Sequence, residues 1–167
     1  MRKSKKELVS YSEAFNYALD KLSYRDYSQE ELEGKLQECS CPLAIIGEVI
    51  AKLKDCAYLD EERYARGIYR IWLGKKYYGR LHLRQYLQKK YVTKQLQKEL
   101  VESFSKQEEI LRGQAFMQQQ WPKLVRKYPE DMLKRKAAAA RSLASRGFGG
   151  DLIWSLVEES MCQQDED

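Results

Sequence analysis

Residues 58–104, YLDEERYARGIYRIWLGKKYYGRLHLRQYLQKKYVTKQLQKELVESF, read as three consecutive helices. Asp60 stands at an N-cap position, and Glu61 and Glu62 behind it suit the positive end of a helix dipole. Tyr64, Ile68, Ile71 and Trp72 recur at helical spacing and predict one apolar face. Gly74 and Gly79 punctuate a loop, after which a helix over Arg80–Lys90 is expected around Leu83 and Leu87. Thr93 is placed to cap a third helix, whose apolar residues are Leu96, Leu100 and Phe104.

The same pattern extends in both directions. Upstream, Phe15, Ala18, Leu19 and Leu22 share one helical face, with Ser10 and Glu13 as a capping box. Ser28 and Glu31 offer a second capping box for a helix carrying Leu32 and Leu36. Pro42 suits a first helical position, and Ile46, Val49, Ile50 and Leu53 form the next stripe. Downstream, helices are expected over 107–128, with Pro122 as a break or kink, over 133–145, and over 151–161. Gly147 fits a helix C-terminal glycine and Asp151 the following N-cap. No run alternates polar and apolar residues long enough to predict a strand.

The trios share a register. Ser28, Leu32 and Leu36 are followed by Ile46, Gly79, Leu83 and Leu87 by Leu96, and Arg135, Ala139 and Leu143 by Ile153. A three-helix unit recurring about every 50 residues is the signature of a repeat architecture. The expected fold is therefore all-α, an elongated array of three tandem three-helix repeats. They would occupy residues 10–57, 58–105 and 106–162, between a basic N-terminal tail over 1–9 and an acidic tail over 163–167.

Charge is distributed unevenly over these units. From Arg63 to Lys98 there are eleven Lys and Arg residues and no Asp or Glu, leaving 19 basic against 25 acidic residues elsewhere. Seven aromatics, Tyr64, Tyr69, Trp72, Tyr77, Tyr78, Tyr86 and Tyr91, are interleaved with the cations. Segregated charge draws an anionic partner, and aromatic faces stack on bases or bury at interfaces. An ordinary basic stretch is a solvated helix face with its tyrosines in the core; the total lack of acid here favours a binding surface.

Other classes find little support. No segment approaches the roughly 18 apolar residues of a membrane span, and MRKSKK is followed by Glu7 and mixed polar residues, not by the apolar stretch of a signal peptide. A cytoplasmic protein, monomeric and away from membranes, is the expectation. Cys39 and Cys41 are too close for common zinc spacing, and His82 is the one histidine, so Cys39, Cys41, Cys56 and Cys162 read as reduced thiols. With no phosphate loop, nucleophile elbow, metal set or cofactor motif, the sequence predicts neither catalytic residues nor a cofactor.

Several motifs in order carry a family likeness. Tyr58-Leu59-Asp60-Glu61-Glu62-Arg63-Tyr64-Ala65 resembles the "(Y/L)-L-D-D-x-R-(F/Y)-A" signature of the RecX family. Leu22 to Ser28, with Glu31-Leu32 and Lys35-Leu36, is similar to that family's first-repeat pattern. Tyr78-Gly79 with Leu83-Arg84 and Leu87 resembles the second-repeat "Y-G-P-x-x-I-R-x-x-L", and Arg146-Gly147-Phe148 with Ile153 the third-repeat "R-G-F". The likeness covers roughly residues 14–158. It departs at Arg80, where proline is expected, at Leu81 and His82, where arginine is common, and in the alanine-rich stretch 136–141.

The resemblance implies an all-α repeat fold and a regulator that binds RecA–DNA filaments and restrains the recombinase and its ATPase, with no chemistry of its own. RecA filaments, and DNA directly or through the filament, are the implied partners. The residues assigned to this contact are Arg63, Arg66, Arg70, Lys75, Lys76, Tyr77, Arg80, Arg84, Lys89 and Lys90. Arg63, Arg66 and Arg70 share a helical face, and Arg80 and Arg84 another, so their forked donors suit phosphate or carboxylate; the lysines add diffuse attraction. Glu62 is a rival partner for Arg63, and Tyr64 and Trp72 are assigned to the core. A secondary surface would comprise Lys134, Arg135, Lys136, Arg141 and Arg146, although Arg146 also suits an anchor of its own turn. Two further readings remain open: a stand-alone helical DNA-binding transcriptional regulator, and an adaptor that grips an acidic protein.

Overall fold

The structure, a computed structural model, describes residues 7–162. The described residues form nine α-helices and no strand: α1 (Tyr11–Tyr24), α2 (Gln29–Gln37), α3 (Leu43–Asp55), α4 (Glu61–Leu73), α5 (Arg80–Lys89), α6 (Lys94–Ser103), α7 (Lys106–Lys127), α8 (Met132–Ser145) and α9 (Gly150–Cys162). The two tails expected over 1–9 and 163–167 fall wholly or mostly outside the described residues. Contacts group the chain into two compact units. One holds the described residues up to Tyr69 together with Gln88–Leu96; the other holds Arg70–Leu87 together with the described residues from Gln97 on.

In the first unit, α1, α2 and α3 pack on one another. Ala14, Ala18, Leu32, Leu36, Val49 and Leu53 are completely buried there, which is what helical spacing of small and branched apolar residues produces when three stripes meet. Ser10 caps α1 by accepting from the Glu13 amide, and the Glu13 carboxylate accepts from the Val9 amide and the Ser10 hydroxyl. Ser28 caps α2 through the Glu31 amide at 3.1 Å. Pro42 sits one residue earlier than expected, at the N-cap of α3.

In the second unit, α7, α8 and α9 form a packed trio around Phe116, Met117, Trp121, Leu143, Phe148, Leu156 and Val157. Trp72 is fully buried, edge-on to Phe104 with ring centroids 5.1 Å apart. Gly113 lies against Leu156, close enough that any Cβ there would collide with its side chain. Asp131 caps α8 by accepting from the Lys134 amide.

Three expectations change. α7 runs unbroken through Pro122, because Trp121, Leu124 and Val125 hold it against the core, while Pro122 faces solvent and so does Gln118, whose carbonyl loses its helical partner. Ile71 lies on the outer side of α4, 61% exposed, and Ala65 takes the buried position instead. α9 starts at Gly150, which puts Asp151 in its first turn and not at the cap.

Candidate functional site

The cations of the middle stretch divide into those turned inward and those left to solvent. In the first unit, Arg63 lies at the start of α4, where Asp60 accepts from its amide and caps the helix. Its guanidinium donates to Asp26 at 3.0 Å and to the Tyr58 carbonyl at 3.1 Å, so it joins α4 to the turn before α2. Glu62, the rival partner read for Arg63, instead pairs with Arg66 one turn on, at 2.7 Å and on an exposed surface where such a pair contributes little. Lys89 is exposed, with no carboxylate partner among the described residues, whereas Lys90 is half-buried and its carbonyl accepts from the Tyr64 hydroxyl at 3.0 Å.

The Tyr64 hydroxyl shares its one proton between the Lys90 carbonyl and Glu31, and Glu31 in turn binds Arg25, whose guanidinium lies 3.6 Å from the Tyr27 ring centroid. Burial first, then the Glu31 carboxylate, pushes the Tyr64 hydroxyl up to about 12. Burial and the Cys39 thiol do the same for Tyr17. The folded state thus holds these protons more tightly than the unfolded chain, whose tyrosines titrate near 10. Stability from this source is complete below pH about 10 and is lost as pH rises toward about 12. Unfolding free energy measured across that window should fall, and fall less steeply in Tyr64→Phe.

The second unit contains the densest internal chemistry. Arg80, expected to point outward with Arg84, turns in: its guanidinium donates to the carbonyls of Val101 at 2.5 Å and Phe104 at 2.6 Å and to Glu109 at 3.2 Å. Glu109 is buried and also accepts from the Arg80 amide at 2.7 Å, capping α5. One arginine–glutamate pair therefore closes the start of α5 and the end of α6. Arg112 acts likewise on α4, donating to the carbonyls of Leu73 and Lys75, each at 2.8 Å, and lying 5.0 Å from the Trp72 ring centroid. Charge-assisted bonds of this kind satisfy helix-end carbonyls that would otherwise be orphaned.

The loop between α4 and α5 is fastened in the same way. Tyr77 has φ of +65°, leans on Phe116, and its hydroxyl accepts from Gln119 at 2.8 Å. Lys75 stands over the Tyr86 ring at 4.6 Å. The Gly79 amide donates to the Arg146 carbonyl at 3.0 Å, and the Leu81 amide to that of Gly147 at 2.9 Å. The Tyr-Gly and Arg-Gly-Phe motifs thus meet backbone to backbone. His82, half-buried, accepts at Nδ1 from the Trp72 indole at 2.9 Å.

Arg70, Lys76 and Arg84 remain exposed in this unit, with no carboxylate partner among the described residues. On the expected secondary surface, Arg135 is buried and donates to the carbonyls of Tyr128 and Pro129 at the end of α7. Lys134 pairs with Asp131, Arg141 is exposed, Lys136 is half-exposed, and Arg146 stacks near Tyr78 and Phe116. The inward arginines escaped sequence reading because their partners are backbone carbonyls, and Glu109 because its partner Arg80 lies 29 residues away in the chain. The four cysteines are free thiols, Cys39 and Cys41 buried and Cys56 and Cys162 exposed. Among the described residues no cluster of His, Cys, Asp and Glu could hold a metal, and no helix is long and apolar enough to cross a membrane.

Comparison with known proteins agrees with this architecture. Residues 14–53, spanning α1 to α3, match the family description "RecX, first three-helix domain". The chain is 29% identical over 143 residues to Regulatory protein RecX of Deinococcus radiodurans, covering 86% of this chain and 66% of that protein. It is also 29% identical over 154 residues to Regulatory protein RecX of Bacillus subtilis, covering 92% and 57%. The chain thus spans two thirds or less of the length of these curated relatives. A crystal structure of RecX from Lactobacillus salivarius superposes with a TM-score of 0.76 at 24% identity, covering 91% of this chain and 97% of that one, which shows the same fold. Motifs, three-helix packing and these relatives converge: over most of its length the chain is similar to the RecX family of regulatory proteins.

Proposed function

We propose that this chain binds RecA–DNA filaments through its outward cations and restrains RecA's ATP turnover, strand exchange and recombinase activity. DNA would be contacted weakly or through the filament. The observation that carries the reading is a group of exposed cations with no carboxylate partner among the described residues, Arg70, Lys76 and Arg84 in one unit and Lys89 in the other. Uncompensated guanidinium and ammonium groups are what a phosphate- and carboxylate-bearing partner requires, whereas Arg80, Arg112 and Arg135 are already satisfied. Similarity to proteins named for regulation supports the reading, as does a site whose residues are donors and not nucleophiles. Occupying a filament in this way lowers turnover by favouring one arrangement of its protomers or by obstruction.

The test is single-stranded-DNA-dependent ATP hydrolysis by RecA, titrated with this protein and with a variant in which Arg70, Lys76, Arg84 and Lys89 are Ala. Wild type should inhibit, and the variant should require about tenfold more protein or greater for the same inhibition. Inhibition of equal potency by both would remove these cations from the contact, and unchanged turnover with wild type would end the RecA reading.

A further inference from the structure

A cleft of about 360 Å³ opens in the second unit between the end of α4, the loop that follows it and the first half of α7. Its apolar lining comes from Leu73, Leu111 and Ala115, and Leu111 is 54% exposed at the surface. Lys75 and Lys76 supply two positive charges, while Glu108, the one carboxylate lining the cleft, is neutralised by Arg112 at 2.6 Å. The volume lies within the range of small-ligand sites and suffices for one large side chain.

Hydrogen bonds fasten the walls of the cleft before anything enters it. Arg112 holds the carbonyls of Leu73 and Lys75, Gln119 holds the Tyr77 hydroxyl, and the Gly79 amide is held by the Arg146 carbonyl. A preformed site of this kind loses little entropy on binding.

From this geometry we infer that the cleft docks a protein segment bearing an apolar side chain flanked by carboxylates. The apolar side chain fills the space beside Leu73, Leu111 and Ala115, and the carboxylates meet Lys75 and Lys76. A nucleotide is disfavoured because the aromatic rings beside the cleft already pack on neighbours. The Tyr77 ring lies against Phe116, and the Tyr86 ring is covered by Lys75. Exposed leucine beside lysines with no carboxylate partner among the described residues is the composition of an anchor pocket with a charged rim. The inference is independent of RecA, since any acidic partner with such a segment satisfies it.

The experiment measures fluorescence anisotropy of the full chain with a labelled DELED peptide, a DESED control and a short oligothymidylate. Wild type should bind DELED about tenfold more tightly than DESED. Leu111→Glu should abolish that preference, and Lys76→Glu should weaken DELED by a further margin of about tenfold; both positions are solvent-exposed, so folding is retained and is checked by circular dichroism. Equal affinity for DELED and DESED, or DELED binding indifferent to Leu111→Glu, would overturn the inference. So would loss of oligothymidylate binding in Leu111→Glu with peptide binding unchanged, because the cleft would then be a nucleotide site.

Discussion

Replacing Arg80 with Ala should lower the unfolding free energy by about 3 kcal/mol, the scale on which removal of one partner from a buried ion pair is felt. The loss has identifiable parts. The carbonyls of Val101 and Phe104 forfeit their charged donor, and Glu109, 9% exposed as a side chain, is left with the α5 amide alone. Arg80→Lys should recover little, since a single ammonium cannot meet acceptors that the guanidinium fork reaches together. Arg84→Ala, one turn further along the same helix and exposed, should change stability by no more than about 0.5 kcal/mol. Urea unfolding of the three variants separates these outcomes. Similar losses at Arg80 and Arg84 would mean that the inward geometry of Arg80 is not what holds the end of α6.

The second large effect is expected where two glycines meet. Gly147 has φ of +77°, a conformation that L side chains rarely adopt, and a Cβ there would collide with the His82 amide nitrogen and stand 2.7 Å from its Cβ. Neither neighbour can yield cheaply: the amide nitrogen is backbone, and the His82 ring is engaged by Trp72. Backbone strain of about 1–2 kcal/mol adds to an overpacking cost of about 1–3 kcal/mol, so Gly147→Ala should cost about 2–5 kcal/mol. Gly79 faces the same constraint from the other side, with a Cβ placed 2.6 Å from the Gly147 carbonyl oxygen. Gly149→Ala is the control, because nothing lies within 4 Å of the added methyl. A near-neutral Gly147→Ala in thermal or urea unfolding would contradict the backbone docking of the two motifs.

These two sites also mark how far sequence reading reaches. Periodic leucines and caps made the helices legible, because a buried stripe and an N-cap are local: Ser10, Ser28 and Asp60 all cap the helices expected of them. Gly147 was legible as a helix-ending glycine, but its contact with His82 was not, since it depends on a partner some 65 residues away in the chain. Arg80 and Arg135 illustrate the same boundary for charge. Both sit in basic runs that read as surface, and each is drawn inward by unpaired carbonyls at the end of a helix. Helix-end carbonyls leave no mark on the sequence, so arginines that satisfy them look identical to arginines that face solvent. Pro122 fails as a helix breaker for a related reason: tertiary packing of Trp121, Leu124 and Val125 outweighs the one missing hydrogen bond.

Direct binding tests whether the outward cations act differently from the inward arginines. Sedimentation of the full chain with RecA filaments assembled on single-stranded DNA, beside bare single-stranded DNA and bare duplex, measures it. The account predicts that wild type pellets with the filaments. It also predicts that the variant lacking the outward side chains of Arg70, Lys76, Arg84 and Lys89 loses about tenfold or more in affinity while unfolding at the wild-type urea concentration. Wild-type affinity in that variant, or a preference for a particular bare duplex over the filament, would contradict it.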